Sequence, residues 1–126
     1  MYRGGDALQK LVKALHKINC TVKRTNIQTQ QRNEFVVYKS EVFITCNGKT
    51  ASMPFYSSDE IVSEEDIFYG IFATLNEYDY WVNKDEWMYM FSLTEKQHDE
   101  TKQMKRAVMD VLDEEQYHKI LRLFED

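Results

Sequence analysis

The spacing of hydrophobic positions changes period twice along the chain. Leu8, Leu11, Val12, Leu15 and Ile18 recur at helical spacing, which predicts a helix over 6–19 with Lys10, Lys13, His16 and Lys17 on its polar face. Asp6, following two glycines, is the expected N-cap. From residue 20 the pattern becomes extended. Thr21–Thr29 is polar but rich in β-branched residues, and Phe35-Val36-Val37-Tyr38 opens a strong strand. Asn47-Gly48 reads as a two-residue hairpin turn, because both residues accept the positive φ of a type I′ turn. That turn sets a register of Cys46 facing Lys49, Ile44 facing Ala51, Val42 facing Met53 and Ser40 facing Phe55. Val42, Ile44, Ala51, Met53 and Phe55 then share the core face of a three-stranded antiparallel sheet. Pro54 places the last strand at an edge that is open to self-pairing.

Helical spacing returns at Ser63. Ser63 and Asp66 resemble a capping box, followed by a stripe of Ile67, Phe68, Ile71, Phe72 and Leu75. Gly70 inside that helix costs about 1 kcal/mol relative to Ala, so it marks a candidate close packing contact. Glu77–Asn83 reads as a turn, and 84–92 as a short helix with Trp87, Met90 and Phe91 inward. Thr94 with Gln97 and Asp113 with Gln116 are two further capping boxes. They open a helix carrying Met104, Val108 and Val111 and a last one carrying Tyr117, Ile120, Leu121 and Phe124. The expectation is a single α+β domain over residues 1–126: an N-terminal helix, a three-stranded antiparallel meander, and a C-terminal helical half packed on the sheet.

Charge is sorted along this pattern. Residues 1–56 carry a net +6 and residues 57–126 a net −11, together the −5 of the whole chain. An acidic half is repelled by nucleic acid and attracted to basic partners, so the reading favours a protein partner over direct nucleic-acid contact. No apolar run approaches the roughly 20 residues of a membrane span, and Met1-Tyr2-Arg3-Gly4-Gly5-Asp6 lacks a signal-peptide core. Cys20 and Cys46 read as two buried thiols, which places the protein in a reducing cytoplasm.

Candidate chemistry is sparse. His16, His98 and His118 have no metal-ligand spacing and read as surface residues. Neither cysteine sits at a glycine elbow, and Asn47-Gly48-Lys49-Thr50 lacks the first glycine of a phosphate loop. No catalytic residue, metal or cofactor is therefore assigned. The acids have two readings. Near helix starts they favour the helix dipole and solubility. Alternatively they project as an anionic array that imitates a phosphate backbone. The candidate partner-binding residues are Glu77, Tyr78, Asp79, Tyr80 and Trp81, where aromatics stand among acids, together with Asp110, Asp113, Glu114 and Glu115.

The stretch from Asn47 to Ser57, with its Asn-Gly turn and Pro54-Phe55-Tyr56-Ser57 ending, resembles a family of small phage and prophage accessory proteins. The likeness continues through Asp66–Asp79 and Asp85–Phe91 to Leu121-Arg122-Leu123-Phe124, so it covers roughly residues 40–124. Where that family has Phe-Gly-Tyr after the short helix, this chain has Phe91-Ser92-Leu93, and residues 1–34 stand as an extra N-terminal piece. The resemblance implies a non-enzymatic anti-defence protein of the anti-CRISPR class. Such a protein binds a CRISPR-Cas effector nuclease as a monomer or homodimer in the bacterial cytoplasm and blocks DNA binding or cleavage. The alternative is a small nucleic-acid-binding or regulatory phage protein, with Lys10, Lys13, Lys17, Lys23 and Arg24 on phosphates.

Overall fold

The computed structural model describes residues 5–125. The opening residues Met1–Gly4 lie outside them. Helix α1 (Gly5–Lys17) leads into β1 (Thr21–Arg32), β2 (Phe35–Cys46) and β3 (Lys49–Ser57), an antiparallel sheet in the order β1-β2-β3. Four helices follow: α2 (Glu64–Tyr80), α3 (Lys84–Met90), α4 (Glu95–Val111) and α5 (Glu114–Leu121), with a closing 3₁₀ turn at Arg122–Phe124. The α+β order expected from the sequence is the one observed.

Asparagines make the turns. Asn19, Asn26, Asn33 and Asn47 all have φ between 52° and 56°, a region that Asn tolerates better than other non-glycine residues. α1 ends on Asn19 with amide bonds from Asn19 to the His16 carbonyl and from Cys20 to the Leu15 carbonyl. That pair of bonds is a Schellman termination. Asp6 stands in the first turn of α1 rather than capping it, because the helix already includes Gly5. Asn47 (φ 54°) and Gly48 (φ 75°) form the hairpin turn, and the β2–β3 register matches the expected pairs.

Asn26 has the larger consequence. From Gln28 to Arg32 the β1–β2 pairing follows from the Asn33-Glu34 turn, and continued unchanged it would bring Cys20 opposite Asn47. A bulge between Thr25 and Gln28 shifts the register by one residue, so Thr21 faces Thr45 and Cys20 comes opposite Cys46. The two sulfurs are bonded, across a Cα separation of 4.3 Å. Such a distance fits a cross-strand pair without ladder bonds, about 4.5 Å apart. The expectation of two free thiols is therefore corrected: both cysteines are buried, but as a disulfide.

Val42, Ile44, Met53 and Phe55 on the sheet meet Ile67, Phe68, Ile71, Phe72 and Leu75 of α2, with Leu11 and Leu15 of α1 in the same core. Gly70 is where α2 comes closest to the sheet: a Cβ there would lie 3.1 Å from Cε1 of Phe55. α4 packs most closely on β3. β3 remains an edge of the sheet, as expected from Pro54.

Polar contacts fix this arrangement and tie the two halves of the chain together. Arg24 donates from Nε to Ser40 Oγ (2.8 Å), from Nη1 to the Glu60 carbonyl (2.6 Å) and from Nη2 to Ser57 Oγ (3.1 Å). Arg24 thereby pins the connection between β3 and α2 to the sheet. His16 Nε2 lies 3.2 Å from Glu64, and Lys39 lies 3.3 Å from the buried Glu100 of α4. Glu100 also accepts from the Tyr56 hydroxyl at 2.9 Å.

The Glu100 hydrogen bond raises the Lys39 pKa above its ordinary 10.5, and burial followed by the Glu100 bond raises Tyr56 above 10.0. Both groups therefore hold their protons more tightly in the folded state. Their contribution is complete below the unfolded values near 10 and is lost as pH climbs through the folded ones. Unfolding free energy should fall on the alkaline side from about pH 10 upward. Glu100→Gln should cost about 1–3 kcal/mol at neutral pH and flatten that alkaline fall. Urea titrations of both proteins across pH 8–11 check this, and an unchanged alkaline slope in the variant would refute it.

Candidate partner-binding site

Of the segment 77–83 expected to be a turn, residues 77–80 are the last turn of α2, with Trp81 as its C-cap, and 81–83 form the connection to α3. Nothing in 77–80 breaks a helix, and the Trp81 indole N–H donates to Glu77 Oε2 (3.2 Å), bridging one turn. Tyr78 is half-buried. Its ring meets Trp87 edge-on at 5.4 Å and His98 at 5.7 Å, and Trp87 also lies edge-on to His98. Trp87 is 5% exposed and His98 9%, so His98 is not the surface residue expected. Its helix turns it inward beneath α3, where Nδ1 has no hydrogen-bond partner among the described residues.

Over this buried tier stands an exposed one. Tyr80 packs edge-on against Trp81 and Trp81 against Phe91, at centroid separations of 5.6 and 6.3 Å. Tyr80 is 73% exposed and Tyr89 84%, and Val82, Met90 and Phe91 are each at least half exposed. Met90 and Phe91 had been expected to point inward. Trp87 lies within α3 and is buried, whereas Met90 is its last residue and Phe91 its C-cap, where the chain turns away from the helical stripe. Its exit is held by Ser92 at φ 52°, a left-handed position that suits glycine better than serine. The outcome is a set of exposed aromatic and apolar side chains around the α2–α3 connection, with Tyr80, Trp81 and Phe91 in ring contact. Single exposed apolar residues are ordinary, whereas a cluster of this kind marks an interaction surface.

The acids divide. Asp79 accepts from Lys105 Nζ and from the Tyr117 hydroxyl, both at 2.7 Å, which joins α2, α4 and α5. Lys105 also lies 5.7 Å from the Tyr78 ring centroid and 5.5 Å from that of Tyr117. Burial, then the bond to Asp79, holds the Tyr117 hydroxyl protonated far above its ordinary range. Asp79 is thus committed to the fold. Asp113 caps α5 by accepting from the Gln116 amide (2.7 Å). Glu114 lies 3.7 Å from His118, while Asp110, Glu114 and Glu115 are exposed around the α4–α5 corner. Beside that corner Asn47 donates to the Val111 carbonyl at 2.9 Å. Tyr117, two residues beyond Glu115, connects the corner to Asp79. Of the residues singled out from the sequence, Glu77, Tyr80 and Trp81 belong to the exposed aromatic end. Asp110, Glu114 and Glu115 form a separate acidic corner.

Val82, Tyr89, Met90 and Phe91 were not singled out as partner-binding residues. Trp87, Met90 and Phe91 have the i, i+3, i+4 spacing of one helix face, but α3 ends at Met90 and Phe91 is its C-cap, so that spacing does not fix their direction. Among the described residues no group of three or more His, Cys, Asp or Glu is placed to hold a metal ion. No described helix is long and apolar enough to cross a membrane. Compared with known proteins, the chain matches no family model, no curated protein and no solved structure.

Proposed function

We propose that the protein works by binding another protein through the aromatic end of α2 and α3. The observation that carries this reading is the exposed set of Tyr80, Val82, Tyr89, Met90 and Phe91. Tyr and other large apolar side chains standing on a rigid, packed base are what binding hot spots are made of. The sequence likeness to small phage accessory proteins supplies the class of partner: a CRISPR-Cas effector nuclease, whose basic nucleic-acid channel suits an acidic protein surface. In this reading Glu77 and the exposed acids of the α4–α5 corner contribute steering, and Asp79 contributes only to the fold.

The test is DNA cleavage by a panel of guide-loaded nucleases with and without the protein, alongside a gel shift on bare DNA. Inhibition without a shift is the expected result. The double variant Tyr80→Ser/Phe91→Ser should then lose at least about tenfold in inhibitory potency at an unchanged urea midpoint. Glu114→Lys/Glu115→Lys should mainly slow association and weaken its salt dependence. If no nuclease is inhibited and bare DNA is shifted in a salt-sensitive way, the reading fails and the basic first half takes its place.

A further inference from the structure

We propose that the groove between α1 and α5 is a second docking site, built for an acidic amphipathic helix of a protein partner. α1 packs on α5 and on the closing 3₁₀ turn, leaving a trough of about 620 Å³ between them. Its apolar floor is Ala14 and Ile18 on one side and Ile120 and Leu123 on the other. Lys10, Lys13 and Lys17 rise along one flank and Lys119 on the other, all exposed. None of these four ammonium groups has an ion-pair partner among the described residues. The acids lining the trough are Asp113, whose carboxylate caps α5, and Glu115.

Three features select the occupant. Lys10 and Lys17 are seven residues apart on α1, about 10 Å along the helix, so no single small anion neutralises both. A nucleic acid would reach the lysines but leave the apolar floor uncovered. A helix with apolar residues at i, i+3, i+4 and i+7 and acids on both shoulders covers the floor and pairs with the lysines together. This face is separate from the aromatic end, so the proposal stands or falls independently of the function proposed above.

The experiment titrates the isotope-labelled full chain, followed by amide NMR, with three probes. They are a helical peptide bearing a leucine stripe flanked by glutamates, the same peptide with serine replacing leucine, and double-stranded DNA. The first should saturate with shifts centred on Ala14, Ile18, Ile120 and Leu123. Lys10→Glu/Lys17→Glu should weaken it at least about tenfold, as should Lys119→Glu to a lesser degree. Tyr80→Ser/Phe91→Ser should leave it unchanged. No shifts at millimolar peptide, equal binding of the serine peptide, or preferential binding of DNA at the same residues would each overturn the proposal.

Discussion

Reduction of the Cys20–Cys46 bond lowers the unfolding free energy by about 3.5 kcal/mol, the loop-closure value for a 26-residue separation. The bond ties the start of β1, immediately after α1, to the end of β2, so the unfolded chain gains the freedom of the whole first hairpin once it is cut. Both sulfurs are buried, so reduction is expected to proceed through opening of the chain rather than on the closed fold. The reduced protein should still fold, because the core of Val42, Ile44, Met53 and Phe55 with the α2 stripe stays available to a dithiol chain. Urea unfolding with and without reductant measures the difference, and a change below about 1 kcal/mol would show that the bond does not constrain the unfolded chain. The result also bears on function. Buried disulfides are at home in oxidising compartments, whereas an inhibitor acting in a bacterial cytoplasm must keep its fold as a dithiol.

Trp87→Ala is expected to be among the most damaging substitutions at the aromatic end, costing about 3–5 kcal/mol. Trp87 is the buried side chain of α3, a seven-residue helix that has no stability of its own in water. Without the indole, α3 loses its contact with Tyr78 and His98, and amide exchange over 84–93 should rise toward that of a loop. Partner binding should then disappear although Tyr80, Tyr89 and Phe91 are unchanged. Phe91→Ala, by contrast, should leave stability within about 0.5 kcal/mol, since half of that side chain is already in water. If Trp87→Ala leaves both exchange and binding intact, the buried tier does not hold the exposed one, and the binding surface lies elsewhere.

Much of the architecture could be read from local rules. The Asn47-Gly48 turn set the β2–β3 register residue by residue, and the stripe from Ile67 to Leu75 identified the buried face of α2 without error. Thr94 with Gln97 and Asp113 with Gln116 announced the starts of α4 and α5, because both capping bonds are made within four residues. Gly70 announced the close contact with Phe55. The candidate site was legible in position but not in orientation. Segment 77–81 stands out as aromatic and acidic, yet periodicity does not tell which face of a short helix meets the core, so Met90 and Phe91 were turned the wrong way.

The sequence by itself determined the order of the elements, the second hairpin and the buried stripe of α2, since these follow from interactions between residues a few positions apart. Tertiary structure decided everything that depends on long-range register. The bulge at Asn26 moved β1 by one residue and so made Cys20 and Cys46 partners, an outcome that spacing along the chain does not carry. Folding also brought charges of the two halves together at particular points: Lys39 of the basic half pairs with Glu100, and His16 lies beside Glu64. Opposite charges distant in sequence lower their energy by approaching in space. A few opposite charges thus met across the fold, while the aromatic cluster, the acidic corner and the lysine-rimmed groove stayed exposed.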